Sequence, residues 1–124
     1  MLTPYLTVDD AHAAITFYET AFGAHVQGDP WVDADGRVGY VALAIGGAAL
    51  ALSDEYPEIG VLGPRTRGGA TGSLVLADAD ADALFDRAVA AGAVVANPMT
   101  DQPHGRTGKL VDPFGHVWHV HQAS

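Results

Sequence analysis

Leu2-Thr3-Pro4-Tyr5-Leu6-Thr7-Val8-Asp9-Asp10 and Ser73-Leu74-Val75-Leu76-Ala77-Asp78-Ala79-Asp80 open the two halves of the chain in the same way. Each is a short strand-like run that meets acidic residues and passes into a helical pattern. The first helix carries Ile15, Phe17 and Tyr18 and ends at Phe22-Gly23-Ala24; the second carries Leu84, Phe85 and Val89 and ends at Ala91-Gly92-Ala93. A unit this small cannot bury its own sheet, so its repetition predicts two copies around one core. It also predicts a cleft where a small ligand can sit.

Outward from these openings, Ala11, Ala14, Ile15, Tyr18, Ala21 and Phe22 fall on one stripe at helical spacing, leaving His12, Thr16 and Glu19 outside. Asp9 or Asp10 supplies the N-cap, and Gly23 the left-handed residue that ends the helix. The second helix, about Asp80 to Ala91, repeats the stripe with Ala81, Leu84, Phe85 and Ala88. Between the helices the runs His25 to Val32, Arg37 to Ile45 and Ala48 to Ser53 read as a meander, turned at Asp35-Gly36 and Gly46-Gly47. Asp54 to Ala70 is a proline- and glycine-rich loop joining the halves. Short strands follow near Val94-Val95, Gly108 to Val111 and His116 to Gln122, the last two joined by an Asp112-Pro113-Phe114-Gly115 turn. The organisation is one domain over 1–124, with module one at about 1–62 and module two at about 70–124.

A chain of 124 residues is long enough to bury more than ~60% of its unfolded surface without staples. It has no cysteine, which removes disulfides, thiolate zinc sites and a cysteine nucleophile and suits the cytoplasm. No apolar stretch reaches the ~18 residues of a membrane span, so no membrane partner is expected. The net charge of −9, with Arg65 and Arg67 as the one close basic pair, argues against nucleic acid. No Gly-x-Ser-x-Gly or phosphate-cradling motif is present. The Asp78, Asp80, Asp82 series lacks the glycine and distal glutamate of a calcium loop, and helix capping accounts for it.

The most specific local signal is Gly108-Lys109-Leu110-Val111-Asp112-Pro113-Phe114-Gly115-His116-Val117-Trp118-His119-Val120-His121. Together with Pro4-Tyr5-Leu6-Thr7-Val8 leading into the Phe17-Tyr18…Phe22-Gly23-Ala24 helix, it resembles the vicinal oxygen chelate superfamily of glyoxalases, bleomycin-resistance proteins and extradiol dioxygenases, and most of all its small PhnB-like members. The resemblance implies an α+β fold in which two βαβββ modules form a cupped mixed β-sheet with helices outside, as a homodimer with two pockets. It also implies four metal-ligand positions, which fall at about Thr3, Ala51, Ser73 and His119. Of these only His119 binds a metal well, because alanine has no donor atom and neutral hydroxyls replace imidazole or carboxylate poorly. No metal and no cofactor are therefore expected.

His119 and His121 share a face of their strand, roughly 6.6 Å apart at the usual rise. They would chelate a metal only with a third donor, for which Glu55 and Glu58 in the long loop are candidates. The competing readings are a ligand contact for His119 and simple solvation for His121. His116 is expected to face the helices with Trp118 and Val120. His104 sits on a loop that in similar proteins overhangs the pocket, as a lid contact, a general base or an ordinary loop residue. Trp31, Tyr40 and Tyr5 offer ring faces for a planar or cationic ligand, although sheet packing explains each of them equally well. The ligand-binding set is thus His119, His121, Trp31, Tyr40, Tyr5, Ser73 and His104, with no catalytic residue assigned. The expected activity is metal-free binding of a small organic molecule, of the kind that sequesters an antibiotic. The alternative is a superfamily enzyme: a lyase, isomerase or dioxygenase with ligands rearranged around His119 and His121, or a metal-free isomerase.

Overall fold

The repeat read from the sequence is a repeat of structure. A computed structural model describes residues 1–124 and contains β1 (Tyr5–Thr7), α1 (Ala11–Phe22), β2 (His25–Val32), β3 (Val38–Ile45) and β4 (Ala48–Ser53) in the first half. After a 3-10 turn at Pro57–Ile59 and a one-turn helix α2 (Pro64–Arg67) come β5 (Ser73–Asp78), α3 (Ala81–Ala91), β6 (Val94–Gln102), β7 (Gly105–Val111) and β8 (Val117–Gln122). Each half forms a four-stranded mixed sheet, ordered β1-β4-β3-β2 and β5-β8-β7-β6. In each, the first strand runs parallel to the last and the others pair antiparallel. The fold class implied by the resemblance is the one observed. No helix is long and apolar enough to cross a membrane.

The two halves start their helices by the same device. Asp10 accepts from Ala13 N at 3.1 Å and Asp80 from Ala83 N at 3.3 Å, so Asp10 rather than Asp9 is the first cap. A second acceptor reaches each helix start from beyond the last strand of its own sheet, or from that strand's end. Asp54 Oδ1 takes Ala11 N at 2.7 Å, and Gln122 Oε1 takes Ala81 N at 3.1 Å. These long-range caps satisfy N–H groups that a helix leaves free. They carry no local sequence signal.

The helices lie against each other as well as against the sheets. Tyr18, Leu43, Leu52, Leu84, Leu110, Val41 and Val120 are fully buried between them, and each such aliphatic side chain stabilises the fold by roughly 1.5–3 kcal/mol. Phe17, Tyr18, Phe22, Phe114 and Trp118 form one aromatic cluster across both halves. β6 and β7 extend well beyond the Val94-Val95 and Gly108–Val111 segments expected. Their pairing slips between Val95 and Asn97 and again before Thr100. Such irregularities admit Pro98 to an outer strand, where its missing N–H does little harm.

Candidate functional site

The Asp112-Pro113-Phe114-Gly115-His116 turn is a buried joint. Asp112 is buried, and its Oδ1 accepts from Phe114 N at 2.9 Å and His116 N at 3.0 Å. Its Oδ2 accepts from Trp118 Nε1 at 2.9 Å and from the Tyr18 hydroxyl. A carboxylate taken out of water needs such donors on both oxygens. Burial first, and the Asp112 charge second, push the Tyr18 phenol well above its ordinary pKa. His116 lies in the same layer and pairs through Nε2 with Thr7 O at 2.8 Å, tying the turn to β1. The expected structural role of His116 thus has a definite partner. In the sequence Asp112 reads only as a turn residue, because nothing local reveals that Tyr18, in the other half, points at it.

With the core side of each strand fixed, alternation fixes the other side. On the first sheet Leu6, Leu52, Val41 and Leu43 face the helices, so Tyr5, Ala51 and Ala42, which lie in register, face away. Tyr5 and Tyr40 meet there edge to face with centroids 5.5 Å apart, and the Tyr5 hydroxyl donates to Gly39 O. Trp31 is 69% exposed. It is paired in register with Tyr40, but its ring lies over Gly39 and its Nε1 donates to Asp33 at 3.0 Å. The Tyr56 hydroxyl binds the same carboxylate, and these two donors, Tyr56 first, hold Asp33 below the usual carboxylate range.

On the second sheet Trp118, Val120 and Leu110 face the core, and His119 and His121 face away from the helices. Their ring centroids are 6.4 Å apart, and His104, carried by the β6–β7 hairpin, lies 6.4 Å from His121. The structure therefore brings three of the expected site residues together. Ser73 is exposed at the start of β5, level with Val117. The residue that sequence reasoning left out is Lys109, paired directly with His119 across β7 and β8. The four-residue turn read from the sequence pairs His119 with Gly108; five residues, Asp112 to His116, in fact separate the strands, and the partner moves to Lys109.

The positions at which the superfamily places metal ligands do not fit a metal here. Ala51 faces the helix-free side without a donor, Thr3 lies ahead of β1, and no three His, Asp or Glu side chains are grouped to hold an ion. Glu55 and Glu58 do not supply the missing donor. Glu58 forms a two-point ion pair with Arg37 at 3.0 and 2.8 Å, which pulls its carboxyl down to about 2. Glu55 accepts from Thr66 and, at 2.7 Å, from Gly63 N, and its pKa is lowered by them. Both loop carboxylates are spent on holding the 54–70 segment.

A concavity is found elsewhere. A groove of about 880 Å³ runs between the edges of β1 and β5, lined by Leu6, Leu50, Leu74, Leu76 and Trp118, with Tyr5 and Ser73 at its margin. β1 pairs only with β4 and β5 only with β8, so both flanking strands have a free edge.

Residues 2–120 match the model of the glyoxalase/bleomycin resistance protein/dioxygenase superfamily. The uncharacterized protein Mb0911c of Mycobacterium bovis is 40% identical over 125 residues, spanning 98% of this chain and 82% of that one. Among solved structures, the product of Arabidopsis thaliana AT5G48480 superposes with a TM-score of 0.78 at 27% identity, covering 98% of this chain and 97% of that one. Protein PA1353 from Pseudomonas aeruginosa gives a TM-score of 0.76 at 25% identity, over 98% and 96% of the two chains.

Proposed function

Because the chain belongs to the glyoxalase/bleomycin resistance protein/dioxygenase superfamily, and because its donor set at the superfamily's metal positions is reduced to His119, we propose that it is a metal-free binding protein for a small organic molecule. The single observation that carries this reading is the composition of the helix-free faces. One presents the Tyr5–Tyr40 pair, the other the imidazoles of His104, His119 and His121, and neither groups ligands for an ion. Ring faces of this kind hold planar or cationic groups by stacking and cation–π contact, each worth about 0.5–2 kcal/mol. Sequestration of an antibiotic or another natural product in the cytoplasm is the concrete form of the proposal. In that form His119, His121, Trp31, Tyr40, Tyr5, Ser73 and His104 are the ligand contacts.

The proposal includes a homodimer. The free edges of β1 and β5 and the apolar groove between them are surfaces that a two-fold partner covers most economically. A second reading, a superfamily enzyme in which His119 or His121 acts as base, is favoured by the clustering of the imidazoles. It requires turnover, which simple binding does not.

The test is a calorimetric screen of metal-free bleomycin and a panel of planar aromatic compounds on protein without a histidine tag. Saturable binding is expected, weakened about tenfold, equivalent to about 1.4 kcal/mol, in Tyr40→Ala and His119→Ala and unchanged in His12→Ala. Equal affinity in Tyr40→Ala, His119→Ala and Trp31→Ala would sink the proposal, and conversion of the compound during titration would favour the enzyme.

A further inference from the structure

The helix-free face of the second sheet is free of acid in a chain that has fifteen Asp and Glu against six Lys and Arg. Read across the register, one row is Val75, His119, Lys109 and Asn97, and the next holds His121 and Thr107. The remaining positions of this face, from Ser73 through Val117 to Val111 and from Ala77 to Thr100, are likewise uncharged. Arg106, between Gly105 and Thr107, points the other way and is paired with Asp82 of α3 and with Asp101. The acids near this sheet are thus held on its helix side or at its rim.

Lys109 is the only lysine in the chain. The ion pairs of the protein are made by Arg37, Arg65 and Arg106, and Lys109 has no carboxylate partner. It is half-buried beside His119. Its stem is covered while no protein carboxylate neutralises its ammonium, which leaves the charge available to an anion from outside. The same face contains the one buried side-chain polar atom that lacks a hydrogen-bond partner, Thr107 Oγ1, next in register to His121. An orphaned buried hydroxyl marks a place that an occupant or a small side-chain shift must complete. Lysine, two imidazoles and a hydroxyl are donors, with no acidic acceptor among them.

From this juxtaposition we infer that the helix-free face of the second sheet binds the oxyanion of an acidic ligand, a carboxylate, phosphate or phosphonate, with Lys109 as its counterion and His119 and His121 as flanking donors. The inference rests on the proposed small-molecule site and narrows its ligand: the part that meets the second sheet is anionic. A metal cation is the wrong partner for this surface, since Lys109 stands where it would repel one. The acid-free face is also the region of this acidic protein where an anion meets least repulsion.

Three probes that share a ring and differ in charge test it: phenyl phosphate, benzoate and phenyltrimethylammonium, titrated at millimolar concentration into isotopically labelled, tag-free protein and followed by amide chemical shifts. The two anions should shift Lys109, His119 and His121, and the stronger of them identifies the oxyanion class. Charge-assisted hydrogen bonds are the strong ones, so Lys109→Met should weaken the anion about tenfold while Lys109→Arg retains it. An ammonium response at these amides as strong as the anions', undiminished binding by Lys109→Met, or silence of both anions at this face would overturn the inference. An ammonium response without an anion response would overturn it while leaving the binding reading in place, which the Tyr40 and His119 calorimetry decides separately.

Discussion

The two sheets are built alike on the side that faces the helices and differently on the side that does not. Toward the helices, Leu6, Leu52 and Val41 form an apolar row across the first sheet and Leu74, Trp118 and Leu110 form one across the second, each under an Asp-capped helix. Away from the helices, the first sheet shows tyrosine and alanine where the second shows histidine and lysine. Packing dictates the first set, because a helix can lie only on an apolar row of fitting volume. No such demand acts on the second set. Differences there report what the surface meets.

The comparison breaks most visibly at the helix side. Trp118→Ala removes a buried ring and leaves Asp112 short of a donor, and should cost about 3–5 kcal/mol in denaturant unfolding. Tyr40→Ala and His119→Ala, on the exposed faces, should stay within about 0.5 kcal/mol of the parent. If the His119 variant proves as costly as the Trp118 variant, His119 belongs to the core and the division into two faces is mistaken.

A smaller effect separates the two sheets at a glycine. A Cβ at Gly108 would stand 2.7 Å from Met99 Sδ and 2.8 Å from Phe85 Cε2, whereas one at Gly39 meets Trp31 Cδ1 at 3.0 Å. Phe85 is packed in the core and cannot yield, while exposed Trp31 can turn. Gly108→Ala should therefore cost about 1–3 kcal/mol, and Gly39→Ala less. Equal melting temperatures for the two variants would contradict that assignment of faces.

The pH dependence sharpens the contrast further. Tyr18 has a folded pKa above its unfolded value near 10, so its contribution is fully present below about pH 10 and is lost as pH rises toward the folded value. Tyr56, raised to about 12 chiefly by its hydrogen bond to Asp33, acts with the same sign but sits in a solvated loop. Alkaline unfolding curves should flatten more in Tyr18→Phe than in Tyr56→Phe. The reverse order would place the dominant alkaline group outside the joint.

Much of this was legible in the sequence because it is local and periodic. The limits of α1, the Gly23 stop and the alternation that sets His116 and Trp118 apart from His119 follow from spacing, whereas the sheet layout of the two modules was readable only through the family resemblance. What could not be read depends on contacts across the chain. Tyr18 reaches Asp112 over ninety-four positions, Asp54 caps α1 from the end of the first meander, and Glu58 is consumed by Arg37. Glu55 and Glu58 were plausible donors only while their partners were unknown. Lys109 was hidden for a different reason: its significance lies in the absence of acids around it, which no single strand displays.

The central claim is that the ligand is held by side chains without a metal, and one measurement addresses it directly. Tag-free protein is melted with stoichiometric zinc, nickel, manganese or iron(II). An ion that binds the folded state raises the melting temperature by mass action. The account predicts no shift with any of the four. A metal-dependent rise that disappears in His119→Ala would contradict it.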